Sequence, residues 1–327
     1  MRNPTVSIGL PVYNGELYLE ESIVSTLEQD YDDFELIISD NASTDRTAEI
    51  CRHFAEADPR VRYIRRPENV GAAPNYNGLL PIAKGRYFKW SAHDDNLLPG
   101  FLTACVSALE HDPDVMLAYP LTSVIDGSGH AIGDFHDNLG LPEADPHQRL
   151  VTYLERNFMR RRGLCNPIFG VMRTAELART RLIQDFIASD LILLAHLALL
   201  GKFVEIPEVL FERRVHAGIS TAAQVSHADR RAWFNPSAKS VSRIFNNELS
   251  LRITHFRNLY SAISELVDDP DERRRCRLAL TRLMVSDPKW IYIDIKYSLG
   301  LRPSWSDSAK KISASVAGSD AQPADPR

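Results

Sequence analysis

Cysteine is scarce in this chain. Four residues, Cys51, Cys105, Cys165 and Cys276, are spread over 327 positions. None forms a C-x-x-C pair, which argues against a zinc ribbon and against a disulfide framework. The reading that follows is a reduced, cytoplasmic protein. Long apolar runs are also missing. The longest, residues 191–200, is interrupted by His196 and is too short to span a bilayer. The first eleven residues lack a basic segment followed by an apolar stretch, so no signal peptide is expected. No excess of positive charge is present. The net charge is −5, which gives no electrostatic reason to expect nucleic acid as a partner. The local runs Arg160-Arg161-Arg162 and Arg273-Arg274-Arg275 read as solvated faces or phosphate contacts. A G-x-G-x-x-G turn is absent after the first strand, which makes a nicotinamide dehydrogenase a poor reading. No internal repeat is visible.

What is present alternates strand and helix. Val6-Ser7-Ile8-Gly9-Leu10 reads as a strand stopping at Pro11, and Leu19, Ile23 and Leu27 mark a helix face by their four-residue spacing. Phe34-Glu35-Leu36-Ile37-Ile38 is a second strand, followed by a helix that Ser43 or Thr44 can cap and that buries Ile50, Cys51 and Phe54. Strands at 61–64, 86–91 and 115–119 follow, with helices around 69–80 and 100–110. This order predicts an α/β fold with a mostly parallel central sheet and helices on both faces. Asp126-Gly127-Ser128-Gly129 reads as a hairpin turn, and 133–146 as an irregular loop. Further strands are expected at 168–171, 203–206 and 209–212, with an apolar helix at 190–200 between them.

The doublet Asp94-Asp95 sits where the strand 86–91 ends, at the edge where open α/β sheets bind ligands. Two adjacent like charges repel, so a site that keeps both suits a divalent cation carrying a diphosphate. The plain alternative is a solvated acidic turn before a helix. Two more turns fall at the same edge: Pro11-Val12-Tyr13-Asn14-Gly15 after the first strand, and Asp40-Asn41-Ala42-Ser43-Thr44-Asp45 after the second. Farther on stand Asn69-Val70-Gly71, Ser189-Asp190 and Arg214-Val215-His216.

In this order the six segments resemble family 2 of the inverting glycosyltransferases, with the GT-A nucleotide-sugar-binding fold. The resemblance covers roughly residues 4 to 220. It implies transfer of a hexosyl or deoxyhexosyl group from a nucleoside-diphosphate sugar to a saccharide or lipid-linked acceptor. A divalent cation, Mn²⁺ or Mg²⁺, is implied as cofactor, and bacterial cell-surface polysaccharide or glycolipid assembly as the setting. Carried onto this chain, the donor would meet Pro11, Tyr13, Asn14, Asp40, Asn69 and Asp94. Tyr13 would stack on the base, and Asp40 would accept a hydrogen bond from base or ribose. Asp95 and His216 would hold the metal, and Asp190 would be the catalytic base. Asp40 could instead close an Asx turn, Asp190 could merely cap its helix, and Asp45 reads as a helix cap. The chain departs from the pattern at Ala92 and His93, which precede the doublet without an acidic residue. It departs again at Pro74, which precedes Asn75 where relatives often carry arginine. Arg65, Arg66 and Lys84 are the cations considered for the diphosphate. A nucleotidyltransferase shares this kind of sheet but needs a glycine-rich, basic first loop; a non-catalytic sugar-nucleotide-binding module is the other alternative.

The expected organisation is a GT-A catalytic domain at 1–221, a helical C-terminal extension at 222–305 and a disordered tail at 306–327, rich in Ser, Ala, Asp and Pro. Within the extension, Trp290, Ile291, Ile293, Ile295, Tyr297 and Trp305 stand among Lys289 and Lys296. That mixture suits peripheral contact with the inner face of a cell membrane; packing onto the catalytic domain is the competing reading.

Overall fold

The computed structural model describes residues 3–158, 166–216 and 248–286. The arginine run 160–162, Cys165, the expected boundary at 221/222, the aromatic stretch 289–305 and the tail from 306 lie outside the described residues.

Among the described residues, nine strands form one sheet in the order β3-β2-β1-β4-β8-β6-β9-β5, with β7 paired to β6. Its parallel half comprises β1 (Val6–Val12), β2 (Phe34–Asp40), β3 (Val61–Arg65) and β4 (Tyr87–Trp90). The other half is mixed: β8 (Val171–Arg173) runs antiparallel between β4 and β6 (Val115–Ile125), β6 is parallel to β9 (Lys202–Arg214), and β5 (Asn96–Leu97) caps β9. The hairpin at 126–129 joins β6 to β7 (Ala131–Phe135), as its turn residues predict.

Strands β1 and β2 are buried along their whole length, as expected when helices cover both faces of a parallel sheet. Alternate side chains divide between two cores. Leu36 and Ile38 join a core with Leu19, Ile23, Cys51 and Phe101, while Ile37 points the other way and packs with Leu79, Trp90 and Ile192. The first core lies under α1 (Leu19–Leu27), α2 (Thr47–Ala57) and α4 (Phe101–His111). The second is covered by α3 (Ala72–Asn77), α5 (Pro146–Tyr153), the short α6 (Thr174–Leu177) and α7 (Ser189–Leu200). The C-terminal helices α8 (Glu248–Leu266) and α9 (Pro270–Ser286) bring Leu259, Ile263, Cys276 and Leu280 into that second core. No described helix is long and apolar enough to cross a membrane.

Several boundaries differ from the sequence expectation for identifiable reasons. β1 runs on through Pro11 to Val12, because Val12 still pairs with Asp40 and its carbonyl accepts from Asn41 N–H. Residues 203–212 form one strand instead of two. Pro207 and Glu208 fall at a register shift between the pairs Pro120–Ile206 and Leu121–Val209, where a missing ladder donor is tolerated. The strand expected at 168–171 is instead a 3₁₀ turn, Asn166–Phe169, and β8 begins only after Gly170. Neither Ser43 nor Thr44 caps α2; Arg46 holds the N-cap place without a side-chain cap, and Asp45, one residue earlier, accepts from Thr47 N–H at 3.0 Å.

Helix α7 is buried on every side from Ile192 to Leu199, and His196 is fully enclosed with it. Neither ring nitrogen of His196 has a hydrogen-bond partner among the described residues. Burial, and then Arg181, lower its pKa to about 4. An unfolded histidine titrates near 6.5. The folded state therefore binds fewer protons than the unfolded state between these values, and stability falls as pH drops from 6.5 toward 4. His196→Leu is expected to recover roughly 2 kcal/mol of the difference in unfolding free energy between pH 8 and pH 5. Urea titrations of both proteins at the two pH values measure it, and an unchanged difference would show that His196 finds a partner when protonated.

Candidate functional site

The first two turns at the carboxyl edge are built as a reciprocal pair. Asn14 N–H donates to Ser43 Oγ, Gly15 N–H to Thr47 Oγ1 and Glu16 N–H to Asp45 Oδ2, at 2.9, 2.9 and 3.1 Å. In return, Asn14 Oδ1 accepts from Thr44 N–H and Glu16 Oε2 from Arg46 N–H. Asn14 and Ala42 hold left-handed backbone, φ 52° and 61°. Such residues cost about a kilocalorie per mole each and collect where a loop is held for use. Gly15 is needed for a different reason: a Cβ there would lie 2.7 Å from His93 Cδ2. The first turn thus rests directly on the residue before the acidic doublet.

Tyr13 stands 46% exposed at the rim, its ring open to a ligand. Asp40 is fully buried. Its Oδ1 accepts from Ser43 N–H and its Oδ2 from Tyr63 O–H, both at 2.8 Å. Asp40 thus closes its turn. Asn69 closes the third turn, its Oδ1 accepting from Asn41 Nδ2 and Gly71 N–H.

The doublet follows β4 and leads into β5. Arg214 organises it: its backbone N–H donates to Asp95 Oδ1 at 2.9 Å, its Nε to the Asp94 carbonyl at 3.0 Å, and its Nη2 to Glu21 at 2.6 Å. The same guanidinium lies over the Tyr18 ring. His216 Nε2 meets Asp94 Oδ2 at 3.1 Å, and its ring packs against Tyr18. The structure therefore brings His216 to Asp94. Burial opposes charge on Asp94, yet the hydrogen bond from His216 and the charge of His93 hold it below the usual carboxylate range. Burial and then Asp94 push Asp95 upward. Asp95 is only 5% exposed, which excludes a solvated acidic turn at this position.

Asp190 is not the N-cap of α7. Ala188, with φ 61°, holds that place without a side-chain cap, and Asp190 lies in the first turn with Oδ1 accepting from Leu191 N–H. Its loop is pinned from α8, where His255 Nε2 contacts the Ile187 carbonyl at 2.8 Å. One residue registers all three carboxylates. The phenol of Tyr76, on α3, is raised above its ordinary range by burial and then by Asp94, Asp95 and Asp190 together. The base candidate and the metal candidates thus lie within electrostatic range of one phenol, though 95 positions separate Asp95 from Asp190 along the chain.

Of the three cations considered for a diphosphate, Lys84 lies at the opposite, amino edge of the sheet, beside Ser7 and Glu35. Arg65 donates to the Ser43 carbonyl. Arg66 reaches Asn75 Oδ1 at 2.9 Å and also the Pro74 carbonyl, bringing a guanidinium through space to the helix whose sequence lacks one. Arg213, a cation not considered from the sequence, favours the charged form of Asp95. Its Nη1 donates to Asn166 Oδ1 at 2.7 Å, and Asn166 Nδ2 in turn donates to the buried Asp137. No carboxylate lies within ion-pair distance of Arg213 among the described residues. Burial raises Asp137 to about 7. Lys89 was also missed. It is fully enclosed on β4 between the Phe101 and Phe211 rings, donates to the Trp90 carbonyl, and is lowered by burial to about 7. A lysine inside the buried run Tyr87-Phe88-Lys89-Trp90 was the signal available for it.

Among the described residues, one group of three potential ligands has its donor atoms within 4.8 Å of one another: Asp145, His147 and Glu272. Glu272 Oε2 there accepts from both the backbone and the ring of His147, which makes it a tie between α5 and α9. The doublet and His216 offer fewer close ligands, carboxylate oxygens and one imidazole. That set fits a divalent cation that takes part of its shell from substrate phosphates.

The profile of "Glycosyl transferase family 2" matches residues 7–171. The chain belongs to this family. A glycosyltransferase of Haemophilus influenzae, described as uncharacterized, is 27% identical over 253 residues, covering 73% of this chain and 72% of the relative. A second from the same organism is 41% identical over 95 residues, but covers only 29% of this chain and 38% of the relative. The putative teichuronic acid biosynthesis glycosyltransferase TuaG of Bacillus subtilis is 38% identical over 92 residues, 28% of this chain and 36% of the relative. Matches of the latter kind span well under two thirds of the relatives' length. In fold, this family 2 glycosyltransferase resembles S. aureus TarS 1-349, solved in complex with UDP-GlcNAc, with TM-score 0.54 and 16% identity over 90% of this chain and 92% of that one. It also resembles the Pyrobaculum calidifontis mannosyltransferase PcManGT, solved with GDP-Man and Mn²⁺, with TM-score 0.50 and 19% identity over 97% and 81%. The fold is GT-A.

Proposed function

We propose that this glycosyltransferase moves a sugar, with inversion, from a nucleoside-diphosphate donor to an acceptor hydroxyl, in assembly of a bacterial cell-surface glycan or glycolipid. The reading is supported by the family match together with the acidic doublet at the carboxyl edge, where His216 Nε2 meets Asp94 Oδ2 at 3.1 Å and the Arg214 backbone N–H holds Asp95 Oδ1 at 2.9 Å. Tyr13 receives the base at the rim, while Asp40 and Asn69 hold the turns that shape its pocket. Asp94, Asp95 and His216 would hold a divalent cation, Mn²⁺ or Mg²⁺, which neutralises charge on the departing diphosphate. Asp190 accepts the proton of the acceptor hydroxyl as its oxygen attacks the anomeric carbon from the face opposite the diphosphate. The new C–O bond forms as the bond to the diphosphate breaks, so a single displacement inverts the centre.

Arg213 takes a place in this scheme. Its position, fixed through Asn166 and Asp137, leaves guanidinium donors for diphosphate oxygens. Arg213→Met is expected to weaken UDP or GDP binding in the presence of Mn²⁺ by about tenfold to a hundredfold. Calorimetry against the same nucleosides without phosphate separates this loss from a change in base recognition, and equal affinities would remove Arg213 from the site. The function itself is tested by incubating the purified chain with UDP-, GDP- and dTDP-sugars, with and without Mn²⁺. Release of nucleoside diphosphate that depends on the metal is expected. Absence of release across the panel, or a product of retained configuration, would defeat the proposal.

A further inference from the structure

Four of the eight exposed large apolar side chains among the described residues stand on the two C-terminal helices: Ile253, Tyr260, Leu278 and Val285. They are not scattered. Ile253, Arg257 and Tyr260 follow one another on α8 at helical spacing, as Arg274, Leu278 and Val285 do on α9. Tyr260 and Leu278 line a shared open groove of about 420 Å³ with Arg273, Arg274 and Arg277. Arg277 lies over the Tyr260 ring at 5.0 Å and donates to Ser264. Folding does not call for this face, because the opposite sides of both helices already supply Leu259, Ile263, Cys276 and Leu280 to the core.

Charge on the face is one-sided. Arg257, Arg274 and Arg282 are exposed and form no ion pair among the described residues. The exposed acids cluster at the hairpin turn, as Asp268, Asp269 and Asp271, while Glu265 pairs with Arg181 and Glu272 with Arg275 and His147. The chain leaves α9 into Lys289-Trp290-Ile291-Tyr292-Ile293, which carries the same mixture in its sequence. A soluble polyanion would complement the arginines and leave the apolar residues in water. A bilayer with anionic headgroups satisfies both, since arginine heads reach the phosphates while apolar side chains enter the acyl boundary.

We propose that the α8/α9 face, centred on Tyr260, Arg274 and Leu278, docks this protein on an anionic lipid bilayer. Docking here is independent of the proposed activity, yet it concerns the helix that pins the loop carrying Asp190 through His255.

The full chain is sedimented with vesicles of phosphatidylcholine alone and with vesicles that also contain phosphatidylglycerol. Binding to the anionic vesicles at low salt, released by high salt, is expected, with little binding to the neutral ones. The triple variant Arg257→Gln, Arg274→Gln, Arg282→Gln should lose on the order of a hundredfold in partition, about fivefold per arginine. The pair Tyr260→Ser, Leu278→Ser should bind more weakly at every salt concentration. Both variants should melt like the parent and release nucleoside diphosphate from sugar nucleotides as it does, which keeps this test separate from that of the activity. Failure of the parent to bind, or equal binding by the triple variant, would overturn the proposal. Retention on heparin lost only in the arginine variant, with vesicle binding unaffected by Tyr260→Ser, Leu278→Ser, would reassign the face to a soluble polyanion.

Discussion

Asp190→Asn is expected to lower sugar transfer by on the order of a hundredfold or more while leaving the fold and donor binding near normal. The substitution keeps an oxygen at the position that accepts Leu191 N–H, so the first turn of α7 loses little. What it removes is the capacity to take a proton. Because Ala188 and not Asp190 occupies the N-cap, a purely capping role is already weakened, and the two roles separate cleanly in one variant. Melting temperature, nucleoside diphosphate affinity and transfer rate are the three measurements. Transfer near the parental rate would send the search for the base elsewhere.

The second large effect is expected at Asp95. Asp95→Asn should abolish the stimulation of donor turnover by Mn²⁺, since a neutral amide is a poor ligand for a hard dication. Asparagine is the informative change because Asp95 is buried and its Oδ1 accepts the backbone N–H of Arg214. Alanine would orphan that donor at a cost of roughly 1–3 kcal/mol, and lost activity could then be lost structure. Asp95→Asn keeps the acceptor and removes the charge that Asp94 opposes, so the metal-free variant should melt no lower than the parent. Metal titration of turnover in parent and variant decides the matter. Full manganese stimulation in the variant would place the cation elsewhere.

The motif turns were legible because each is a run of consecutive residues with its own local chemistry. Strand, proline or glycine, then Asn or Asp is a pattern that neighbouring side chains complete within a few positions. The residues that escaped were those whose role comes from elements far apart in sequence. Arg213 gains its place from Asn166, 47 positions away, and Lys89 from Phe101 and Phe211. Arg66 reaches Asn75 beside Pro74, a contact visible only when the third turn is folded beside α3. Lys84 shows the converse: a cation at a plausible distance along the chain that the topology sends to the far edge.

The sequence by itself determined the α/β alternation, the parallel half of the sheet and the ordered set of turns at its carboxyl edge. These depend on side-chain period and on turn chemistry, both of which are local. Only the tertiary structure decided that Asp40 is sealed beneath its turn, that His216 pairs with Asp94, and that Asp190 lies past the N-cap of its helix. It likewise joined the expected strands at 203–206 and 209–212 into one, because pairing with β6 carries the ladder past Pro207. Burial and ionisation are properties of what surrounds a side chain, and for these residues the surroundings come from strands and helices that only folding brings together.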